Sequence, residues 1–242
     1  MSGFDGLVAV ATEEPSILGV ILSGSRGRGS VGADSDWDCY VVVDEEALDD
    51  GMRSIREIDD PMLDCVVLGF GEFQRYAEPG SANFWEAYAF AHVTTSYDSL
   101  DGAIADLAAQ KEFLDEGIAD GIARTALDAF LNQCIRAAKD RRDGNDDAAV
   151  LDCAGAVSPA LETVFALEGR VRPYNRYLSW EVERHPLELF RGDRFVDVVK
   201  RLASADPQAV AELFHLLERV ARSAGIGDVI DAWSDRDLEL LA

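Results

Sequence analysis

Residues 17–44 constrain this chain more than any other stretch. Ile17 to Leu22 is an apolar run that reads as a short buried strand. It breaks at Ser23-Gly24-Ser25 and then passes through Gly27, Gly29 and Gly32, which suit backbone that approaches a ligand closely. Asp36-Trp37-Asp38 leads into Cys39-Tyr40-Val41-Val42-Val43, a second strand by its β-branched content. Residues two apart on a strand share a face, so Asp36 and Asp38 bring two carboxylates together where that strand begins. Adjacent anions repel unless something neutralises them, and hard oxygen donors at this spacing suit Mg²⁺. The amides and hydroxyl of the Gly-Ser turn are groups that hold phosphate. Together they imply chemistry on a nucleoside triphosphate. Taken singly, Gly, Ser and Asp are turn residues, and a turn of this kind before an edge strand needs no function.

Gly24-Ser25, a spacer of ten residues and Asp36-x-Asp38 resemble the signature of the DNA polymerase β-type nucleotidyltransferase superfamily. The Gly-Ser-Arg-x-Arg-Gly form is similar to small bacterial members, including aminoglycoside and lincosamide adenylyltransferases. The resemblance implies a third carboxylate on a nearby strand. Asp64, inside Pro61-Met62-Leu63-Asp64-Cys65-Val66-Val67-Leu68, supplies it. A buried Asp in such a run needs a partner or a metal. The resemblance further implies transfer of a nucleoside monophosphate, AMP from ATP, to a hydroxyl. Asp36, Asp38 and Asp64 would hold two Mg²⁺ ions, while Gly24 and Ser25 would hold phosphate. Arg26 and Arg28 would touch the triphosphate or else remain solvated.

Two further stretches carry candidates. Similar adenylyltransferases supply a general base from about the position of Glu86, with Glu72 and Glu78 as competitors and an exposed helix-end Glu as the plain alternative. Arg170-Val171-Arg172-Pro173-Tyr174-Asn175-Arg176-Tyr177-Leu178 resembles a Pro-Tyr-Asn-Lys-Trp-like segment that faces the nucleotide, with Arg176 in place of Lys and Tyr177 in place of Trp. Tyr174, Asn175 and Arg176 are therefore nucleotide-binding candidates. Arginine forks onto phosphate and tyrosine stacks on a base. A basic loop paired with Glu168 and Glu181 is the alternative.

Charge narrows the acceptor. With 22 basic and 46 acidic residues the formal net charge is −24. Such a surface repels phosphate backbones and excludes a nucleic-acid partner. It attracts a cationic small molecule, such as an aminoglycoside-like antibiotic, or else reflects a salt-rich cell. The four cysteines form no Cys-x-x-Cys pair and the three histidines show no ligand spacing, so zinc is not expected. No signal peptide and no 18-residue apolar span is read, so the expectation is a soluble cytoplasmic protein without a membrane partner.

The coarse pattern is α+β: helix 3–13, the two strands, helix 45–58, the Asp64 strand, a short helix at 72–76 and a fourth strand at 94–97. From about residue 99 the apolar positions recur at helical spacing, as in Leu127, Phe130, Leu131, Cys134 and Ile135. This predicts a nucleotidyltransferase domain over 1–100, a small mixed sheet with helices, and a helical bundle over 101–242 that closes on nucleotide and acceptor. Two other activities remain open: a protein adenylyltransferase of the antitoxin type, and a nucleotide-binding regulatory module without turnover. Oligomeric state is not legible.

Overall fold

The computed structural model describes residues 3–190 and 194–241. Architecturally the chain is α+β and divides into two compact units, Met1–Phe113 and Leu114–Ala242.

The first unit runs α1 (Gly3–Glu13), β1 (Ile17–Leu22), α2 (Gly24–Gly27), β2 (Trp37–Val43), a 3₁₀ turn (Glu45–Ala47), α3 (Leu48–Arg56), β3 (Leu63–Gly69), α4 (Phe70–Arg75), a second 3₁₀ segment (Phe84–Phe90), β4 (Thr94–Asp98) and α5 (Ala103–Gln110). The strands form one mixed sheet in the order β3-β2-β1-β4. β1 lies antiparallel to β2 and to β4, while β2 and β3 run parallel. Alternation along β2 decides the two faces. Cys39, Val41 and Val43 join Leu7, Ala11, Val20 and Ile55 in one core beneath α1 and α3. Tyr40 points the other way, into an aromatic cluster with Phe90 and Tyr76.

The Ala-rich α5 belongs with the sheet. The Asp98 carboxylate accepts from the backbone N–H groups of Leu100, Ile104 and Ala105, satisfying donors in the first turn of α5. Ile104 then packs against Gly19 of β1, where a Cβ would lie 2.7 Å from its Cγ2. At the far end of α5 the Lys111 ammonium is buried. It donates to the carbonyls of Gln74 and Tyr76 and to Glu78, and lies over the rings of Phe73 and Phe90. Burial pushes its pKa below the usual lysine value, and Glu78 opposes that shift. Lys111→Met should therefore destabilise the first unit by about 2 kcal/mol, because two buried carbonyls lose their donor. Urea denaturation measures this.

The second unit is helical: α6 (Glu116–Arg142), α7 (Asp146–Leu167), α8 (Leu178–Arg184), α9 (Phe195–Ala203), α10 (Pro207–Ser223), α11 (Asp228–Asp231) and α12 (Asp235–Leu238). Leu127, Phe130, Leu131, Cys134 and Ile135 are buried along α6, as their spacing predicts. Asp206 caps α10 at the Gln208 N–H, with Pro207 in the first turn. The chain ends in two short helices, α11 and α12, since Ser234 accepts from the Asp237 N–H and starts a new turn.

One correction concerns apolar length. α7 has an 18-residue window long and apolar enough to cross a membrane by composition, against the expectation of no such span. Half of that window is buried inside the protein. Cys153, Ala156, Ala160, Leu161 and Val164 lie on the buried side, so packing accounts for its apolar character.

Candidate functional site

The site is built where β1 ends and β2 begins. The Ser23 N–H donates to the Asp38 carbonyl at 2.8 Å and the Ser23 hydroxyl donates to the Ala89 carbonyl. The chain then turns through α2, whose four residues leave its first N–H groups outside its own hydrogen bonds. Gly24 sits at φ +60, and a Cβ there would lie 1.7 Å from Asp38 Oδ2. The Asp38 carboxylate is thus seated directly against the Gly24 backbone, a contact open only to glycine.

On the parallel β2–β3 ladder Asp38 stands opposite Asp64, and Cys39 opposite Cys65. Cys39 and Cys65 pack into the core under α1 and α3, so Asp38 and Asp64, one residue earlier, face the other side together. All four cysteines are free. The Cys39 thiol is hydrogen-bonded to Cys65 and buried, and both effects push its pKa well up. That bond holds Cys65 below the usual thiol value.

Asp64 corrects an expectation. It is exposed rather than buried, because β3 is an edge strand and the side chain leaves the sheet at its open border. The cost of burying a carboxylate therefore no longer argues for a metal there. Asp36 lies just before β2 and is also exposed, while Asp38 is half-buried. Among the described residues no group of three or more His, Cys, Asp or Glu side chains could hold a metal ion. What the fold juxtaposes is the Asp38–Asp64 pair. Two carboxylates still fit Mg²⁺, which keeps several waters and takes one or two carboxylates together with substrate phosphates.

The loop residues hold the turn in shape. Ser25 is buried and donates to the Ser35 hydroxyl at 2.8 Å, and Ser35 in turn accepts from the Gly32 N–H. Arg26 donates to the carbonyls of Ser35 and Asp36 and lies 4.0 Å over the Trp37 ring. Arg28 is buried, donates to the carbonyls of Gly24 and Tyr88 and stacks on the Tyr88 ring. The structure thus commits Ser25, Arg26 and Arg28 to protein groups that fix the Gly24 turn.

Glu86 lies on the carboxylate face. Its Oε2 accepts from the Tyr40 hydroxyl at 3.0 Å and from the Tyr76 hydroxyl at 2.7 Å. Tyr40 is two residues beyond Asp38 on β2, which puts Glu86 on the same face as Asp38 and Asp64. The competitors differ: Glu78 pairs with Lys111 at 3.2 Å and Glu72 is exposed. Tyr40, Tyr76 and Ser35 were not singled out from sequence, although the parity of Tyr40 with Asp38 was a usable signal.

Burial and the Glu86 carboxylate hold the Tyr76 phenol above the usual tyrosine range. A raised folded pKa means its contribution to stability is complete below the ordinary value of about 10 and is lost as pH rises through the folded value. Glu86→Gln removes the negative partner, so Tyr76 should ionise at lower pH. An alkaline titration followed at 295 nm measures the shift, and an unchanged Tyr76 curve would contradict the contact.

The Arg170–Leu178 segment connects α7 to α8 in the second unit. Arg170 pairs with Glu181 and donates to the His185 carbonyl. This accounts for α8, which the sequence did not reveal: Glu181, a polar residue, is buried on its inner side. Arg172 donates to the Ser158 hydroxyl and to Asn175 Oδ1, and burial pushes its pKa below the usual arginine value. Asn175 and Arg176 are exposed, Tyr174 is half-buried, and the Arg176 guanidinium lies 6.0 Å from the Tyr177 ring. Glu168 accepts from the N–H groups of Glu188 and Leu189. In comparisons with known proteins, no family model and no curated protein matches the chain.

Proposed function

We propose that the first unit transfers a nucleoside monophosphate from ATP to a hydroxyl of a small molecule. The observation that carries this is the in-register Asp38–Asp64 pair on parallel strands, with the Gly24 turn seated against the Asp38 carboxylate. The turn offers backbone N–H groups for the phosphates of the donor. Asp38 and Asp64 would hold Mg²⁺, with Asp36 two residues upstream near the same end of β2. Mg²⁺ bound there supplies neutralisation of the charge that builds on the phosphates. The acceptor oxygen attacks the α-phosphorus, the bond from that phosphorus to the oxygen bridging to the β-phosphate breaks, and pyrophosphate leaves. Glu86, oriented by two phenols, would take the proton of the hydroxyl. An acceptor bearing positive charge suits a chain of net charge −24.

Incubation with α-labelled ATP, Mg²⁺ and a cell lysate tests the reading. Label in small solutes supports it. Label in a protein band points to protein adenylylation instead, and no label points to nucleotide binding without turnover.

A further inference from the structure

At the β4 border of the sheet, across from the β3 edge that carries Asp64, the first unit holds a hollow of about 440 Å³ between β4 and α5. Phe90, Val93, Ala105 and Ala109 form its apolar wall, and His92, Glu112 and two threonines its polar one. Ala105 and Ala109 are one helical turn apart, so α5 offers a smooth, small-residue surface of the kind a flat ring can lie on. At the polar edge His92 and Glu112 form a pair. Glu112 Oε1 lies 3.3 Å from His92 Nδ1, and Oε2 accepts the His92 backbone N–H at 3.2 Å. Both side chains are less than a fifth exposed. His92 has φ +56, a left-handed backbone that few non-glycine residues adopt, and Glu112 grips both its ring and its amide.

The hollow backs onto the phosphate turn. A Cβ at Gly27 would lie 3.8 Å from the Cα of Val93, and Thr94 pairs with Leu22, the last residue before Ser23. One short segment therefore carries the hollow's wall on one side and the carbonyls that hold Ser23 and Arg28 on the other.

We infer that this hollow takes a purine base bearing an exocyclic amine. The apolar wall receives the face of the ring. The Glu112 carboxylate, with lone pairs beyond those used by His92, accepts from the amine, and the hydroxyl of Thr95, which pairs with Ile21 on the α5 side of the sheet, donates to a ring nitrogen. An anionic group is disfavoured there, since Glu112 is the charge that lines the space. Naming this base as that of the transferred nucleotide rests on the transfer reading, but the binding does not.

The test uses adenosine, without phosphates or Mg²⁺, titrated into the whole protein while the His92 ring protons are followed by NMR. With three histidines in the chain the signals are assigned by Ala substitution of each. Adenosine should shift the His92 resonances saturably. Inosine, which lacks the amine, should bind about tenfold more weakly. Glu112→Gln should abolish that preference. Ala109→Leu, at an exposed helix position, should fill the hollow and remove adenosine binding without unfolding the unit. Equal affinity for adenosine and inosine, no His92 shift, or undiminished binding in Ala109→Leu overturns the inference. If pyrophosphate release from MgATP persists in those circumstances, the transfer reading stands while the base site falls. Adenosine binding with these preferences but without any pyrophosphate release upholds the base site and removes the transfer reading.

Discussion

Asp38→Asn should lower the proposed nucleotidyl transfer by about 10³-fold while leaving the fold intact. Asparagine has the size of aspartate, so the contact with Gly24 and the β2 ladder are retained. What is lost is a negative charge at the point where β2 and β3 bring two carboxylates into register. Asp64→Asn should act in the same direction with even less effect on stability, because Asp64 is exposed at the sheet edge. If both residues serve one ion, the double variant should be little worse than either single variant, since groups that act as a unit are not additive. Steady-state rates alongside thermal unfolding separate these outcomes. A full-rate Asp38→Asn variant would remove Asp38 from the proposed reaction.

Gly24→Ala should be nearly as damaging, for a different reason. At φ +60 any residue with a Cβ carries a strain of roughly 1–2 kcal/mol. Here the new methyl would also lie 1.7 Å from Asp38 Oδ2, far inside contact distance. Either the turn or the carboxylate must move. A shift of this kind at a reacting centre costs on the order of 10²-fold in rate. Gly29→Ala is the control. Gly29 is likewise left-handed, at φ +69, but a Cβ there meets nothing within 4 Å. It should show the strain in its melting temperature and keep its rate. Equal rate losses in the two variants would mean that the Gly24–Asp38 contact has no special part.

Residues whose pattern is local were the ones legible from sequence. The two apolar strands, the Gly-Ser turn and the Asp-x-Asp run are each short-range signals, and their order placed the candidate site at one end of the sheet. Asp64 shows the limit. Its apolar neighbours suggested burial, but Leu63 and Cys65 point to the α1 side while Asp64 points the other way at an open edge. Strand parity was readable, whereas the edge position depends on long-range pairing. Glu86 entered as a candidate through the resemblance and its place in the chain, whereas its two phenol partners were not legible, because Tyr40 and Tyr76 reach it from separate elements. Arg26 and Arg28 illustrate a chemical ambiguity. A guanidinium that grips carbonyls and stacks on a ring reads in sequence like one that awaits phosphate. Helix α5 shares its composition with the helical half, so only the Asp98 cap and the Gly19 contact reveal that it belongs to the sheet.

On the proposed transfer reading, Asp38 and Asp64 together bind the metal-loaded donor. Calorimetric titration of ATP, with and without Mg²⁺, into the wild-type protein and the Asp38→Ala/Asp64→Ala variant tests it most directly. ATP should bind the wild type in a Mg²⁺-dependent way, and the variant should lose that dependence. Unchanged Mg²⁺-dependent binding in the variant would contradict it.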